Sequence, residues 1–400
     1  MVRYDVAIVG GGVVGCSAAK HLAERSSHSV CVIEKEHRLG EHQSGRNSGV
    51  LHPGFNYPPG STKAAFATEG TRRMKAYAEE HGVPIEEFGV VVAATDRKEE
   101  ARLRDLQSQA EANGITAEII GREELREREP HAAGRTALYC PEAASIDSLQ
   151  YLHTLAKEAK NLGVDFFMGH RVEAVDRRGS GHRLATSNGE IRADYLLNAA
   201  GLYADELAAE LGVGESYRVI PFRGEYYELV PDRADLCETM IYPAPDPELP
   251  FLGVHFTRRT DGKVIVGPNA VLAFGREAYR TTDVDLRELA RTLCYPGFWK
   301  LMASPRMLRV GWEELNKSYR KERFVAAARE LVPDARPADF RRSYAGIRAQ
   351  LVSADGDLVK EPVFEHGPDS LHVLNAVSPG LTCSLPFGDH LAAESLAALH

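Results

Sequence analysis

The chain has 400 residues, 44% hydrophobic and 26% charged, with a formal net charge of −9. That length exceeds one ordinary core and calls for two domains or one elaborated one, while an acidic balance with no basic block excludes a nucleic-acid surface. The cysteines at 16, 31, 140, 237, 294 and 383 are scattered, with no Cys-x-x-Cys, which fits reduced thiols in the cytoplasm and argues against a disulfide frame or a zinc site.

Asp5–Val9 reads as a buried strand and Gly10-Gly-Gly-Val-Val-Gly15 as the turn after it. A helix carrying Ala18, Ala19, Leu22 and Ala23 follows, then a second strand, Val30–Ile33, ending at Glu34. The first glycine permits the tight turn, the second lets backbone N–H groups approach a pyrophosphate, and the third lets helix and strand pack closely. Glu34 lies 24 residues after Gly10, about where an acid reaches a ribose hydroxyl. Strand, helix, strand and acid in register specify an adenine dinucleotide. The same glycines break up the apolar N-terminus, which is therefore a strand and not a signal peptide. No run of 18 apolar residues is long enough to span a bilayer; peripheral contact at the cytoplasmic face of a membrane stays open.

Residues 40–61 form a polar, glycine-rich loop, and Thr62–His81 reads as a helix with Ser61 as N-cap. Gly89–Thr95 is a predicted strand, and Lys98–Asn113 a helix with Leu103 and Leu106 on its apolar face, ended by Gly114. A short helix around Glu123–Glu129 stops at Pro130, residues 148–162 form another, and 164–176 span a strand boundary. Tyr195–Gly201 is a buried strand running into a glycine turn. The pattern then changes to strands at Arg223–Val230, Phe251–Phe256 and Val264–Gly267. Charged helices fill about 284–335, then come a strand at Leu371–Asn375, a turn at Ser378–Gly380 and a helix over Leu385–Leu399.

A nicotinamide enzyme would continue with alternating strands and helices. Three separated glycine-rich turns, at 10–15, 198–201 and 378–382, suit a cofactor that stays bound through the middle of the protein, as FAD does. The segments Gly10-x-Gly12-x-x-Gly15, Glu34-Lys-Glu, Gln43-Ser-Gly-Arg-Asn-Ser-Gly-Val-Leu-His52, Asn198-Ala-Ala-Gly-Leu-Tyr-Ala-Asp205 and Ser378-Pro-Gly-Leu-Thr382 resemble the D-amino-acid-oxidase-like FAD-dependent oxidoreductases. Within them, His42–His52, Pro59-Gly-Ser-x-Lys63, Arg223-Gly-Glu-Tyr-Tyr227, Gly253-Val-His-Phe-Thr257, Gly267-Pro-Asn-Ala270 and Gly346-Ile-Arg-Ala-Gln350 resemble the L-2-hydroxyglutarate oxidase/dehydrogenase family. The chain departs from that pattern at Tyr57-Pro-Pro-Gly60, at Pro53-Gly-Phe-Asn56 and at Cys383.

The resemblance implies an α/β fold: a Rossmann-like FAD-binding domain over 1–85, 141–215 and 338–400, with an inserted α+β substrate domain, an antiparallel sheet plus helices, over 86–140 and 216–337. It implies FAD-dependent oxidation of L-2-hydroxyglutarate to 2-oxoglutarate by hydride transfer from the substrate Cα to flavin N5, with oxygen or a quinone/electron-transfer chain as acceptor. The alternatives are an amine oxidase of the glycine or sarcosine oxidase type, and a flavoprotein subunit that relays electrons within a complex. Cofactor contacts are expected from Gly10, Gly12, Val13, Val14, Gly15, Glu34, Lys35, Gln43, Ser44, Asn47, Ser48, Gly49, Val50, Val172, Ala200, Gly201, Gly346, Gly380, Leu381 and Thr382.

Oxidising a 2-hydroxy acid needs a base beside the hydroxyl and a cation for the α-carboxylate. Histidine titrates in the right range for a base, and His52 and His255 are both candidates. Arg348 is the strongest candidate for a carboxylate fork: its planar donors match a carboxylate in two bonds, and the resemblance implies an arginine here against the substrate acid. A dicarboxylate needs a second anchor, for which Arg223, Tyr226, Tyr242 and Lys63 are the candidates. Neighbouring strand residues face opposite ways, so only one of Tyr226 and Tyr227 points into a pocket. No cluster has metal-ligand spacing.

Overall fold

The computed structural model describes every residue except 1, 178, 180, 247–251, 377 and 400. Strand β1 (Val2–Val9), helix α1 (Val13–Arg25) and strand β2 (Val30–Glu34) form the expected opening unit. Val6–Val9 and Val30–Ile33 are buried along their whole length, as in a parallel sheet covered on both faces. The sheet continues from β2 to Asp165–Met168, and on the other side of β1 to Gly189–Asn198 and then Ser370–Asn375, all parallel. Antiparallel strands Val172–Arg177, His182–Thr186 and Val363–Gly367 complete eight. The glycine turns at 10–12, 199–201 and 378–380 all follow carboxyl ends of parallel strands, the edge where open α/β sheets bind ligands.

A second sheet of nine strands is built on the long pair Tyr217–Leu229 and Phe340–Ser353. It is antiparallel except where Met240–Pro243 runs parallel to Val90–Ala94. Phe340–Ser353 falls within the stretch expected to join the nucleotide-binding part, yet it hydrogen-bonds along Tyr217–Leu229 in the other sheet. The expected strand Phe251–Phe256 begins at His255 instead, and runs to Arg258; its Phe251 lies outside the described residues. The charged region resolves into four helices, Leu286–Cys294, Pro296–Met302, Pro305–Tyr319 and Lys321–Leu331.

The helix Thr62–His81 has the predicted bounds because both ends are chemically marked. The Ser61 hydroxyl accepts the Ala64 N–H at 3.1 Å, and Gly82 closes the helix in the left-handed region at φ 63°. Its Gly70 packs so tightly that a Cβ there would overlap the Thr382 carbonyl. This approach seats the helix directly on the 378–382 turn, whose Ser378–Leu381 line the cavity described below.

Candidate active site

A cavity of about 1030 Å³ runs from Glu34 and Val172 at one end to His255 and Arg348 at the other. Single drug-sized ligands take roughly 300–1,000 Å³, so this space suits a dinucleotide together with a small substrate. A Cβ at Gly10 would overlap the carbonyl of Ala199, and one at Gly11 would crowd Leu39 and Glu34. These glycines let the turn pack directly on Ala199 and Glu34, and φ of 112° at Gly10 suits glycine alone. A flavin dinucleotide fits this lining.

Of the expected cofactor contacts, Gly10, Gly12, Val13, Val14, Glu34, Lys35, Gln43, Ser44, Asn47, Ser48, Val50, Val172, Ala200, Gly201, Gly346, Gly380 and Leu381 line the cavity. Gly15, Gly49 and Thr382 do not; they shape it from behind. A Cβ at Gly15 would overlap the Gly10 carbonyl. The Gly49 N–H goes to Asn47 Oδ1 at 2.8 Å. The Thr382 hydroxyl accepts the His52 N–H at 3.1 Å and donates to the Val50 carbonyl at 3.4 Å. Several lining residues also hold the loop in place: Ser44 Oγ accepts the Val13 N–H at 3.0 Å, and the Asn47 amide donates to the carbonyls of Gln43 and Ser44. Glu34 accepts the N–H groups of Gly11 and Glu36. Lys35 pairs with Glu36 and with Glu277. Glu36, His42 and Glu277 are close enough together to hold a metal ion, but the Lys35 ammonium already stands among them, 2.7 Å from both His42 and Glu277.

At the far end, His52, Lys63, Tyr226, His255 and Arg348 share the cavity wall. Arg223 and Tyr242 do not reach it. Along Tyr217–Leu229 the even positions Gly224 and Tyr226 face the cavity, so the two-residue period turns Arg223 away. Arg223 is buried against Glu225, with Nε 3.1 Å from its carboxylate, and donates to the carbonyls of Ala278 and Arg280. Tyr227 likewise turns into the core, its ring 4.6 Å from that of Phe324. Tyr242 packs beside the histidines, its ring 4.4 Å from His255 and 6.0 Å from His52.

The four charged or titratable groups form a series. Burial pushes His52 down to about 4, helped by the charge of Lys63, and burial pushes His255 down to about 3, where His52 and Arg348 add to it. Burial also lowers Lys63 and Arg348 from their ordinary values. Each neutral histidine thus feels one of the two cations, His52 the charge of Lys63 and His255 that of Arg348. The His255 tautomer is set by its neighbour: a carbonyl can only accept, so Nδ1–H donates to the Gly253 carbonyl at 2.8 Å and Nε2 keeps its lone pair. Asn56 and Tyr57 also line this end, and neither was expected there. Asn56 Oδ1 is buried with no hydrogen-bond partner among the described residues, and the Lys63 ammonium lies 4.7 Å from the Tyr57 ring centroid. The signal available in the sequence was their place on the same loop, four and five residues after His52.

These histidines also predict acid lability. His52, His255 and the buried His372, itself pushed to about 4 by burial, bind protons less readily folded than unfolded. Stability is therefore complete above the unfolded value near 6.5 and is lost as pH falls below it, by up to ~1.4 kcal/mol per histidine per pH unit until each folded value is reached. The thermal midpoint should fall steadily from pH 6.5 to 5 in calorimetry; a flat midpoint over that interval contradicts this account.

Residues 5–394 match the family described as FAD dependent oxidoreductase. The chain is 39% identical over 389 residues to L-2-hydroxyglutarate dehydrogenase of Indibacter alkaliphilus, covering 96% of this chain and 97% of that protein. It is 36% identical over 393 residues to the Escherichia coli K12 protein of the same name, covering 98% and 93%. Among solved structures, L-alpha-glycerophosphate oxidase from Mycoplasma pneumoniae superposes with a TM-score of 0.77 at 22% identity, over 100% of this chain and 95% of that one. Glycine oxidase from Geobacillus kaustophilus does so with a TM-score of 0.74 at 22% identity, over 99% and 95%. These two likenesses establish the fold.

Proposed function

The chain belongs to the FAD-dependent oxidoreductase family, and on that footing we propose that it oxidises L-2-hydroxyglutarate to 2-oxoglutarate, the substrate named for its relatives. The observation that carries this reading is the series Lys63, His52, His255, Arg348 along one cavity wall. A 2-hydroxy dicarboxylate carries a negative charge at each end and its reacting CH–OH beside one of them. Arg348 takes the α-carboxylate through two parallel hydrogen bonds, and Lys63 takes the distal carboxylate. His255 takes the hydroxyl proton at Nε2, with the Gly253 carbonyl holding the ring in the required tautomer. Tyr57 and Tyr226 wall the pocket and keep water from the reacting carbon. FAD, when bound, supplies the two-electron acceptor for the Cα hydride.

The division of labour follows the two sheets: the parallel one holds the cofactor, and the larger one presents the substrate groups His255, Tyr226 and Arg348. We place the protein in a reducing compartment, the cytoplasm, because its six cysteines are all unpaired. No helix among the described residues is long and apolar enough to cross a membrane. The acceptor is oxygen or a quinone/electron-transfer chain, which oxygen uptake and dye reduction measured side by side distinguish.

Anaerobic mixing with L-2-hydroxyglutarate is expected to bleach the flavin absorbance, with the D enantiomer far slower. Bleaching by glycine or sarcosine, and none by the hydroxy acid, would transfer the protein to the amine oxidases.

A further inference from the structure

Asn56 stands on the cavity wall at the substrate end, half-buried, in one of the stretches where the chain departs from the family pattern. Its Oδ1 is enclosed by protein with no hydrogen-bond partner among the described residues. Buried amide oxygens are usually paired, and one that is not asks for a reason.

Looseness of the loop does not supply the reason. Phe55, 2% exposed, is buried with Leu103, Leu106 and Ala110 of the helix Arg97–Ala112. The Asn113 amide, at the end of that helix, donates to the carbonyls of Gly54 at 3.0 Å and Tyr57 at 2.9 Å. The Thr68 hydroxyl donates to the Pro53 carbonyl at 3.2 Å, and the Tyr57 N–H to that of Gly54, also at 3.2 Å. The loop 53–57 is thus tied to two helices, Arg97–Ala112 and Thr62–His81, and Asn56 sits between two anchored neighbours. An amide held this way keeps an unpaired oxygen inside because its other end is used; local rules of polar pairing give way at functional positions.

We infer that Asn56 is a second ligand of the distal carboxylate, beside Lys63. The oxygen and nitrogen of an amide point apart, so with Oδ1 enclosed the NH2 group is the polar part left to face the cavity. A carboxylate can only accept, and Nδ2 can only donate. Lys63 supplies the charge: its ammonium lies over the ring of Tyr57, the residue next to Asn56, 4.7 Å from the centroid. An ammonium is a point charge on a flexible stem. A fixed amide N–H adds direction, and the pair then selects an acid tail over an uncharged one, which would leave both donors unpaired. The inference deepens the L-2-hydroxyglutarate reading and rests on it.

The test compares Asn56→Ala and Asn56→Asp holoenzymes with the parent in steady-state kinetics and anaerobic flavin reduction. Asn56→Ala should raise KM for L-2-hydroxyglutarate by about tenfold, the worth of a hydrogen bond to a charged group, with the limiting rate of flavin reduction changed less than about threefold. The inhibition constant of L-2-hydroxyvalerate, which ends in a methyl group instead of the distal carboxylate, should stay within about twofold, because that acid never used the amide. Asn56→Asp sets carboxylate against carboxylate and should raise KM further, by roughly a hundredfold, again without weakening L-2-hydroxyvalerate. A rise in KM of less than about fivefold in Asn56→Ala overturns the inference, and so does equal weakening of both acids, which would make the amide a support of the loop. Both results leave the oxidation of L-2-hydroxyglutarate standing. A parent whose flavin is not bleached by L-2-hydroxyglutarate removes the substrate reading itself, and this inference with it.

Discussion

Arg348→Met is expected to lower kcat/KM for L-2-hydroxyglutarate by roughly a thousandfold, with flavin content unchanged. The guanidinium lies in a desolvated part of the cavity, and burial already disfavours its charged form. A carboxylate arriving there offsets that cost, so its removal leaves the bound substrate's own charge buried without a counterion. Losing one member of such a pair typically costs about 2–5 kcal/mol, and ~1.4 kcal/mol is tenfold. Arg348→Lys keeps the charge but not the planar fork, and should recover part of the loss, mostly in KM. Steady-state kinetics on both variants decide the point: a Met variant within tenfold of the parent removes Arg348 from carboxylate recognition.

The nucleotide half of the fold is legible in the sequence because its signals are local. Gly10, Gly15 and Glu34 sit at spacings dictated by one turn and one helix, and Ser61 and Gly82 mark the two ends of a single helix. The substrate half depends on pairings between distant residues. Phe340–Ser353 mixes arginines, serine and tyrosine with apolar residues, and only its partner Tyr217–Leu229, over a hundred positions earlier, makes it a strand. Alternation correctly separates Tyr226 from Tyr227, yet it cannot say which parity faces the cavity. Once Tyr226 faces in, Arg223 must face away, and a residue chosen for its charge becomes part of a buried ion pair. Tyr242 is likewise a candidate by residue type alone, whereas the structure sets its ring against that of His255 on the neighbouring strand and outside the cavity lining. Asn56 and Tyr57 are not legible as site residues because nothing in a Pro-rich loop announces burial; that comes from the packing of Thr62–His81 against the 378–382 turn.

The second large effect separates the two histidines. His255→Asn should slow flavin reduction by L-2-hydroxyglutarate by about 10²–10⁴-fold, the usual worth of a positioned general base. His52→Asn should change it less than tenfold. Both rings are buried and neutral, so the pKa shifts do not choose between them; geometry does. The His255 ring has its tautomer set by the Gly253 carbonyl and shares the cavity wall with Arg348, whose charge it feels, so a substrate carboxylate held by Arg348 would bring the hydroxyl-bearing end towards the Nε2 lone pair. His52 neighbours Lys63, at the distal end. The pH dependence carries the same signature: a histidine that must accept a proton is inactive once protonated, so the reduction rate falls on the acid side. The substrate's two carboxylates should raise that limb above the value of about 3 set by burial in the free protein. The limb should vanish in His255→Asn and persist in His52→Asn. Stopped-flow reduction across pH reads both quantities at once, and a larger loss in the His52 variant, with the acid limb gone there instead, would assign the base to His52.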